Sequence, residues 1–166
     1  QGVVGSSPNR IFYWDSIGME EYVKLDVPVI IGCDWGQSDP FAVVECKYYD
    51  GSLYVHELNY KSENEMRESL SVSVNTLLKQ ENERLVKWLF NKFNIKKDRP
   101  ILCDNNRQEK IKTLRRMGYG YALATKKPHG SILAGIDLLN SLDVYYTKQS
   151  KNIAFEVRNY ARKVDR

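Results

Sequence analysis

Residues 27–33 read VPVIIGC, β-branched and nearly all apolar, and no other stretch restricts the possible folds as tightly. Such a run is expected to be a strand buried on both faces, which requires a sheet with cover on either side. Two further extended stretches follow at 41–49 and 53–60. Between them stands Asp50-Gly51, the dipeptide best suited to a two-residue hairpin because both positions tolerate positive φ. Three consecutive strands are therefore expected.

The pattern then changes period. Across residues 62–95, Met66, Leu70, Leu77, Leu78, Leu85, Leu89 and Phe93 fall near a 3.6-residue repeat, while 71–76 reads as more extended. One long helix, or a loop and a helix, both fit. A short buried strand is expected at 100–103, ending at Asp104. A helix at 107–117 follows, with Ile111, Leu114 and Met117 on one face and Gly118 as its stop. Beyond it come a strand at 119–125 and a loop, Lys126-Lys127-Pro128-His129-Gly130. Ser131 is placed to cap a helix whose apolar stripe is Ile132, Leu133, Ile136 and Leu139. A strand at 144–147 and a helix at 152–162 complete the chain. Three strands followed by alternating helix and strand predict an α/β fold, a mixed central sheet flanked by helices. Gly2, Gly5, Ser6, Ser7 and Pro8 make the opening linker-like, so 1–26 is expected to be a linker and 27–166 the folded domain.

Composition narrows the function classes. The 166 residues suffice for one domain with its own core, without disulfides or metals to hold it together. No window approaches the roughly 18 apolar residues of a membrane span, and the first ten residues lack the regions of a signal peptide. Cys33, Cys46 and Cys103 each sit in an apolar run with no CxxC spacing, as expected for reduced core thiols. The net charge of +4 is unevenly distributed. Residues 1–98 carry 11 Lys/Arg against 15 Asp/Glu, and residues 99–166 carry 14 against 6. A basic carboxyl-terminal part points to a polyanion such as DNA or RNA, with a solvated basic face as the alternative.

Two acids stand out by position. Asp34 closes the first apolar strand ahead of Trp35-Gly36, and Asp104 closes another ahead of Asn105-Asn106. Parallel neighbouring strands would bring both to one sheet edge, where ligands of α/β sheets bind. Two carboxylates brought together repel each other and favour a divalent cation, and hard oxygen donors suit Mg²⁺ or Mn²⁺. Each acid alone could equally close a turn or cap a helix. Asp39 and Asp50 read as turn residues and His56 as a cross-strand side chain. His129, Lys126 and Lys127 form a basic loop ahead of a helix that can hold a phosphate or simply be solvated. Arg115-Arg116 and Arg162-Lys163 could extend a phosphate-contacting surface. There is no P-loop and no Ser/His/Asp or Cys/His set.

Taken together, IIGCDWGQSDPFAVV, the Gly-turn hairpin into LYVHELNY, ILCDNN with its basic helix, ATKKPHGSILAGIDLL and FEVRNYARKVD resemble, in that order, the nuclease domain of the tailed-bacteriophage large terminase subunit. The resemblance runs from about Val29 to Asp165. It implies a ribonuclease H-like fold and a two-metal endonuclease that cuts concatemeric viral double-stranded DNA during packaging. It also implies a packaging ATPase domain ahead of the linker-like start, a small terminase subunit and a portal as partners, no membrane association, and the cytoplasm of an infected bacterium as location. By motif, Asp34 corresponds to the first-strand acid bridging two Mg²⁺ or Mn²⁺ ions and Asp104 to the fourth-strand acid binding one. Lys126 and Lys127 fall in the family's basic loop, and with Arg115 and Arg116 they are the expected DNA contacts. The family's third metal acid is expected beyond Arg166, so Asp165 is not taken as its substitute. A resolvase or transposase-like enzyme of the same fold and a ribonuclease H-like scaffold without metal remain open. A sugar-kinase or actin-like nucleotide binder fits less well, because the chain is short and lacks a second phosphate loop.

Overall fold

The computed structural model describes residues 8–69 and 78–162. In chain order the elements are β1 (Asp15–Ile17), α1 (Met19–Lys24), β2 (Val29–Asp34), β3 (Ala42–Tyr49), β4 (Ser52–Asn59), α2 (Glu63–Ser69), α3 (Leu78–Lys92), β5 (Ile101–Cys103), α4 (Gln108–Arg116), β6 (Ala122–Ala124), α5 (Ser131–Asn140), β7 (Asp143–Thr147) and α6 (Lys151–Asn159). The strands form a seven-stranded sheet in the order β1-β7-β4-β3-β2-β5-β6. Its pairs β1/β7, β4/β7, β2/β5 and β5/β6 are parallel, and the two-residue turn makes β3/β4 antiparallel, so the sheet is mixed as expected. Two compact units share the chain, with β3 and β4 contributing to both.

One unit comprises Val29–Cys46 and Leu58–Lys127. In it β2, β5 and β6 run parallel, with Cys33 opposite Cys103 and Cys103 opposite Ala124. Val29, Ile31, Cys33, Ile101, Cys103 and Ala122 join Leu85, Leu89 and Phe90 of α3 and Ile111 and Leu114 of α4 in a single core. Only alternate residues of β2 enter it. Ile30 is 40% exposed, as is Leu102 on β5, so the expectation of burial on both faces is corrected: period-2 alternation puts these side chains opposite the core. The helical stretch after β4 divides into α2 and α3, and Leu70, Leu77 and the extended-looking 71–76 lie outside the described residues. Ser62 and Glu65 open α2 as a reciprocal capping box, Ser62 N–H donating to Glu65 Oε2 at 2.7 Å and Glu65 N–H to Ser62 Oγ at 3.2 Å. Gly118 ends α4 with φ of +95°, a conformation glycine adopts without strain.

The other unit comprises Gln1–Pro28, Lys47–Glu57 and Pro128–Arg166. Asp50 and Gly51 have φ of 48° and 78°, the left-handed pair that the hairpin reading requires. Residues 15–24, inside the stretch expected to be a linker, form β1 and α1. Tyr22 of α1 is buried, and Lys47 Nζ donates to the carbonyls of Tyr22 and Leu25 at 3.0 and 2.9 Å, closing the helix end. His56 takes a cross-strand place: its Nδ1 is 2.7 Å from Thr147 Oγ1. Glu57 secures the start of α6, accepting from Ile153 N–H at 2.9 Å and Asn152 Nδ2 at 2.8 Å.

Two expectations for α5 are corrected. Its N-cap is Gly130, left-handed at φ 79°, which makes Ser131 the first helical residue and leaves it without a side-chain capping bond. No residue of α5 is buried, and Ile132 and Leu133 of the expected core stripe are 71% and 69% exposed. The last helix stops at Asn159 because Tyr160 turns extended, with ψ of 108°. No described helix is long and apolar enough to cross a membrane.

Candidate functional site

The carboxyl edge of the β2-β5-β6 sheet gathers the acids picked out from the sequence. Because Cys33 and Cys103 face each other across parallel strands, the next residues, Asp34 and Asp104, leave the sheet side by side. The ladder continues one step past β5: Asp104 N–H donates to Cys33 O at 2.9 Å. On the far side of β5, Thr125 N–H donates to Cys103 O at 2.8 Å, and its hydroxyl reaches the same carbonyl at 3.1 Å. Three strand ends are thus tied in register, and the loop leaving β6 brings Lys127 Nζ to 2.8 Å from Asp104 Oδ1.

The local turn after β2 is equally constrained. At Gly36 a Cβ would overlap the carbonyls of Asp39 and Pro40, so only glycine fits. Gly36 O also accepts from Glu63 N–H at 3.1 Å, docking the first turn of α2 against the loop behind Asp34. Asp39 sits exposed in that loop, in the turn role expected for it.

Asp104 does not cap α4. The N-cap is Arg107, and the Asp104 carboxylate instead accepts from Asn106 Nδ2 at 2.9 Å. Burial raises the Asp34 pKa, and the adjoining Asp104 charge raises it further, against the opposing pull of Lys127. At Asp104 burial also acts upward but is outweighed. The Lys127 ammonium and the backbone N–H groups of Asn105 and Asn106 hold this carboxyl below the usual aspartate range. The hydrogen bond to Asp104 raises Lys127 in turn. Lys127 therefore favours the charged form of both acids, but only at Asp104, which it touches, does its pull outweigh burial; at Asp34 burial and the Asp104 charge prevail.

This donor set fits a hard divalent cation. Both carboxylates rise from rigid strands, while the soft thiols of Cys33 and Cys103 are buried in the core on alternate positions. Among the described residues no third His, Cys, Asp or Glu joins the two carboxylates in a metal-binding group.

Of the other expected DNA contacts, Lys126 is exposed in the same loop. Arg115 and Arg116 are engaged elsewhere: Arg115 Nε donates to Ala122 O at 3.0 Å, and Arg116 pairs with Glu83 at 2.9 Å. His129 belongs to the other unit. Arg162 is exposed, and Lys163 and Asp165 lie outside the described residues.

One feature of the site escaped sequence reading. Glu63, 1% exposed, is surrounded by Lys110 at 2.9 Å, Arg67 at 3.5 Å and Arg107 at 3.8 Å. Lys110 is itself fully buried, and burial lowers its pKa against the raising effect of Glu63. This cluster braces the starts of α2 and α4, which flank the loops following Asp34 and Asp104. The Ser62-x-x-Glu65 spacing announces the start of α2, but nothing local marks Glu63 as buried.

A parallel β2-β5-β6 core and a β3/β4 hairpin, with acids on adjoining strand ends, make up a mixed α/β sheet whose fold is shared with large-terminase nuclease domains. The chain is similar to the nuclease domain of the large terminase of bacteriophage SPP1, solved with bound Mn, at 23% identity and a TM-score of 0.62, covering 98% of this chain and 85% of that one. It is also similar to the large terminase of a thermophilic bacteriophage, at 17% identity and a TM-score of 0.55, covering 79% of this chain. The match spans only 31% of that longer chain, and the same terminase in complex with ADP matches at 18% identity and a TM-score of 0.53, again over 31% of its length. No family model and no curated protein matches the sequence.

Proposed function

We propose that the chain is the nuclease domain of a tailed-bacteriophage large terminase, a metal-dependent endonuclease that cuts concatemeric viral double-stranded DNA during packaging. The observation that supports this most is the placement of Asp34 and Asp104 on adjoining parallel strand ends, within a fold shared with a terminase nuclease domain solved with bound Mn. Asp34 and Asp104 would hold divalent ions, Mg²⁺ or Mn²⁺, and two ions would need at least one further ligand. When bound, such ions activate water and stabilise the leaving 3′ oxygen of a phosphodiester. The residues of the chain do the rest. The strands β2 and β5 fix the two carboxylates in position, and Lys126 and Lys127 attract and place the phosphate without reading bases, so cleavage is weakly sequence-dependent. On this reading an ATPase domain, a small terminase subunit and a portal are the working partners, and the infected host's cytoplasm is the setting.

Incubation of supercoiled plasmid with Mn²⁺ and the wild-type chain, Asp34→Ala or Asp104→Ala tests the proposal. Wild type should nick or linearise the plasmid, and both variants should lose more than about a hundredfold in rate. Equal cleavage by wild type and Asp34→Ala would remove Asp34 from the chemistry.

A further inference from the structure

We propose that Lys127 is the chain's own occupant of the cation position: its ammonium offsets part of the negative charge of the Asp34/Asp104 edge when no divalent ion is bound, and it is displaced when one binds. This rests on the metal-site reading above and adds a switch to it.

The geometry is specific to one of two adjacent lysines. Lys127 Nζ lies 2.8 Å from Asp104 Oδ1, a charge-assisted contact, while Lys126 beside it is simply exposed. The contact is not a chance meeting of two mobile chains. Thr125, two residues before, is held by its N–H and its hydroxyl on Cys103 O, so the backbone that presents Lys127 is fixed relative to Asp104. Asp104 is only 10% exposed, whereas the Lys127 side chain is 59% exposed. The acid is enclosed, and the stem of the cation opens to solvent.

Charge decides what happens next. One ammonium opposite two carboxylates leaves the edge net negative. A divalent ion cancels both charges and accepts oxygen from both acids, so it outcompetes a single amine that reaches one of them. Release carries Lys127 outward on its four-carbon stem, at the edge where a phosphate would arrive. The pairing thus offsets part of the charge of two carboxylates facing each other, and it couples metal arrival to the appearance of a free cation for the substrate.

Calorimetric titration of MnCl₂ into the wild-type chain, Lys127→Met and Lys126→Met tests this. Methionine keeps most of the stem and removes the charge. Because metal need no longer break an ion pair, Lys127→Met should bind Mn²⁺ roughly three- to tenfold more tightly than wild type, the scale of one partly exposed pair. Lys126→Met should change affinity by less than about twofold. A second readout follows the amine itself: labelling of Lys127 by an amine-specific reagent, quantified by mass spectrometry, should rise when Mn²⁺ is added to wild type. Wild-type binding with no gain in Lys127→Met, or with a loss, overturns the displacement while leaving the metal site intact. Mn²⁺ binding to none of the three chains overturns both.

Discussion

Asp34 and Asp104 are neighbours with unequal tasks. Asp104 is anchored by Asn106 and Lys127 and stays ionised below the usual aspartate range. Asp34 has its pKa raised by burial and by the Asp104 charge. The two act oppositely on stability. A carboxyl with a lowered pKa contributes stability above the unfolded value that is lost as pH falls through its folded pKa, and one with a raised pKa favours the folded state progressively as pH falls through its raised value. Metal binding needs both acids deprotonated, so Asp34 sets the limit. In thermal melts, the rise in Tm given by Mn²⁺ should begin to fade on acidification at a pH above the ordinary aspartate value of 3.8, where Asp34 takes up its proton. In Asp34→Asn the Mn²⁺-dependent rise should be small at every pH. An undiminished rise in Asp34→Asn would mean that Asp34 is not a ligand.

At the scale of elements, the Glu63 cluster ties the start of α2 to that of α4, beside the two site loops. Glu63→Gln removes the carboxylate 2.9 Å from the fully buried Lys110, and breaking a buried pair by removing one charge costs about 3–5 kcal/mol. Lys110→Met should cost less, about 1–2 kcal/mol, because Arg67 and Arg107 still face the carboxylate. Urea unfolding of both variants checks the order, and an equal cost for the two would mean that Lys110 is not the partner that matters. At the hairpin, Gly51→Ala at φ of 78° should cost about 1–2 kcal/mol in the same assay.

These elements also show what a sequence reader can and cannot see. The hairpin was legible because Asp50-Gly51 encodes its own turn, and the placement of Asp34 and Asp104 because each closes an apolar run. The Lys127–Asp104 pair was not, since it joins residues 23 positions apart through strand register, which no local pattern reports. Burial of α5 was misjudged for a related reason. An apolar stripe at Ile132 and Leu133 states that a helix can be covered, not that the described residues cover it.

For the molecule as a whole, the excess of basic residues after position 98 is an electrostatic footprint rather than a binding site in itself. Arg115 and Arg116 are already engaged with their own fold, so Lys126 and a released Lys127 are the nearest candidates for phosphate contact at the site. Binding to a short DNA duplex should weaken steeply with salt, and Lys126→Ala should lower the slope of log K against log salt by about one. An unchanged slope would place the DNA elsewhere on the surface.

The account depends on one place holding a cation between two strands. Crystals soaked in MnCl₂ and measured at the manganese absorption edge test this directly. The account predicts an anomalous peak in contact with carboxylate oxygens of both Asp34 and Asp104, with Lys127 turned away from Asp104. Manganese bound at other acids while Lys127 stays on Asp104 would contradict it.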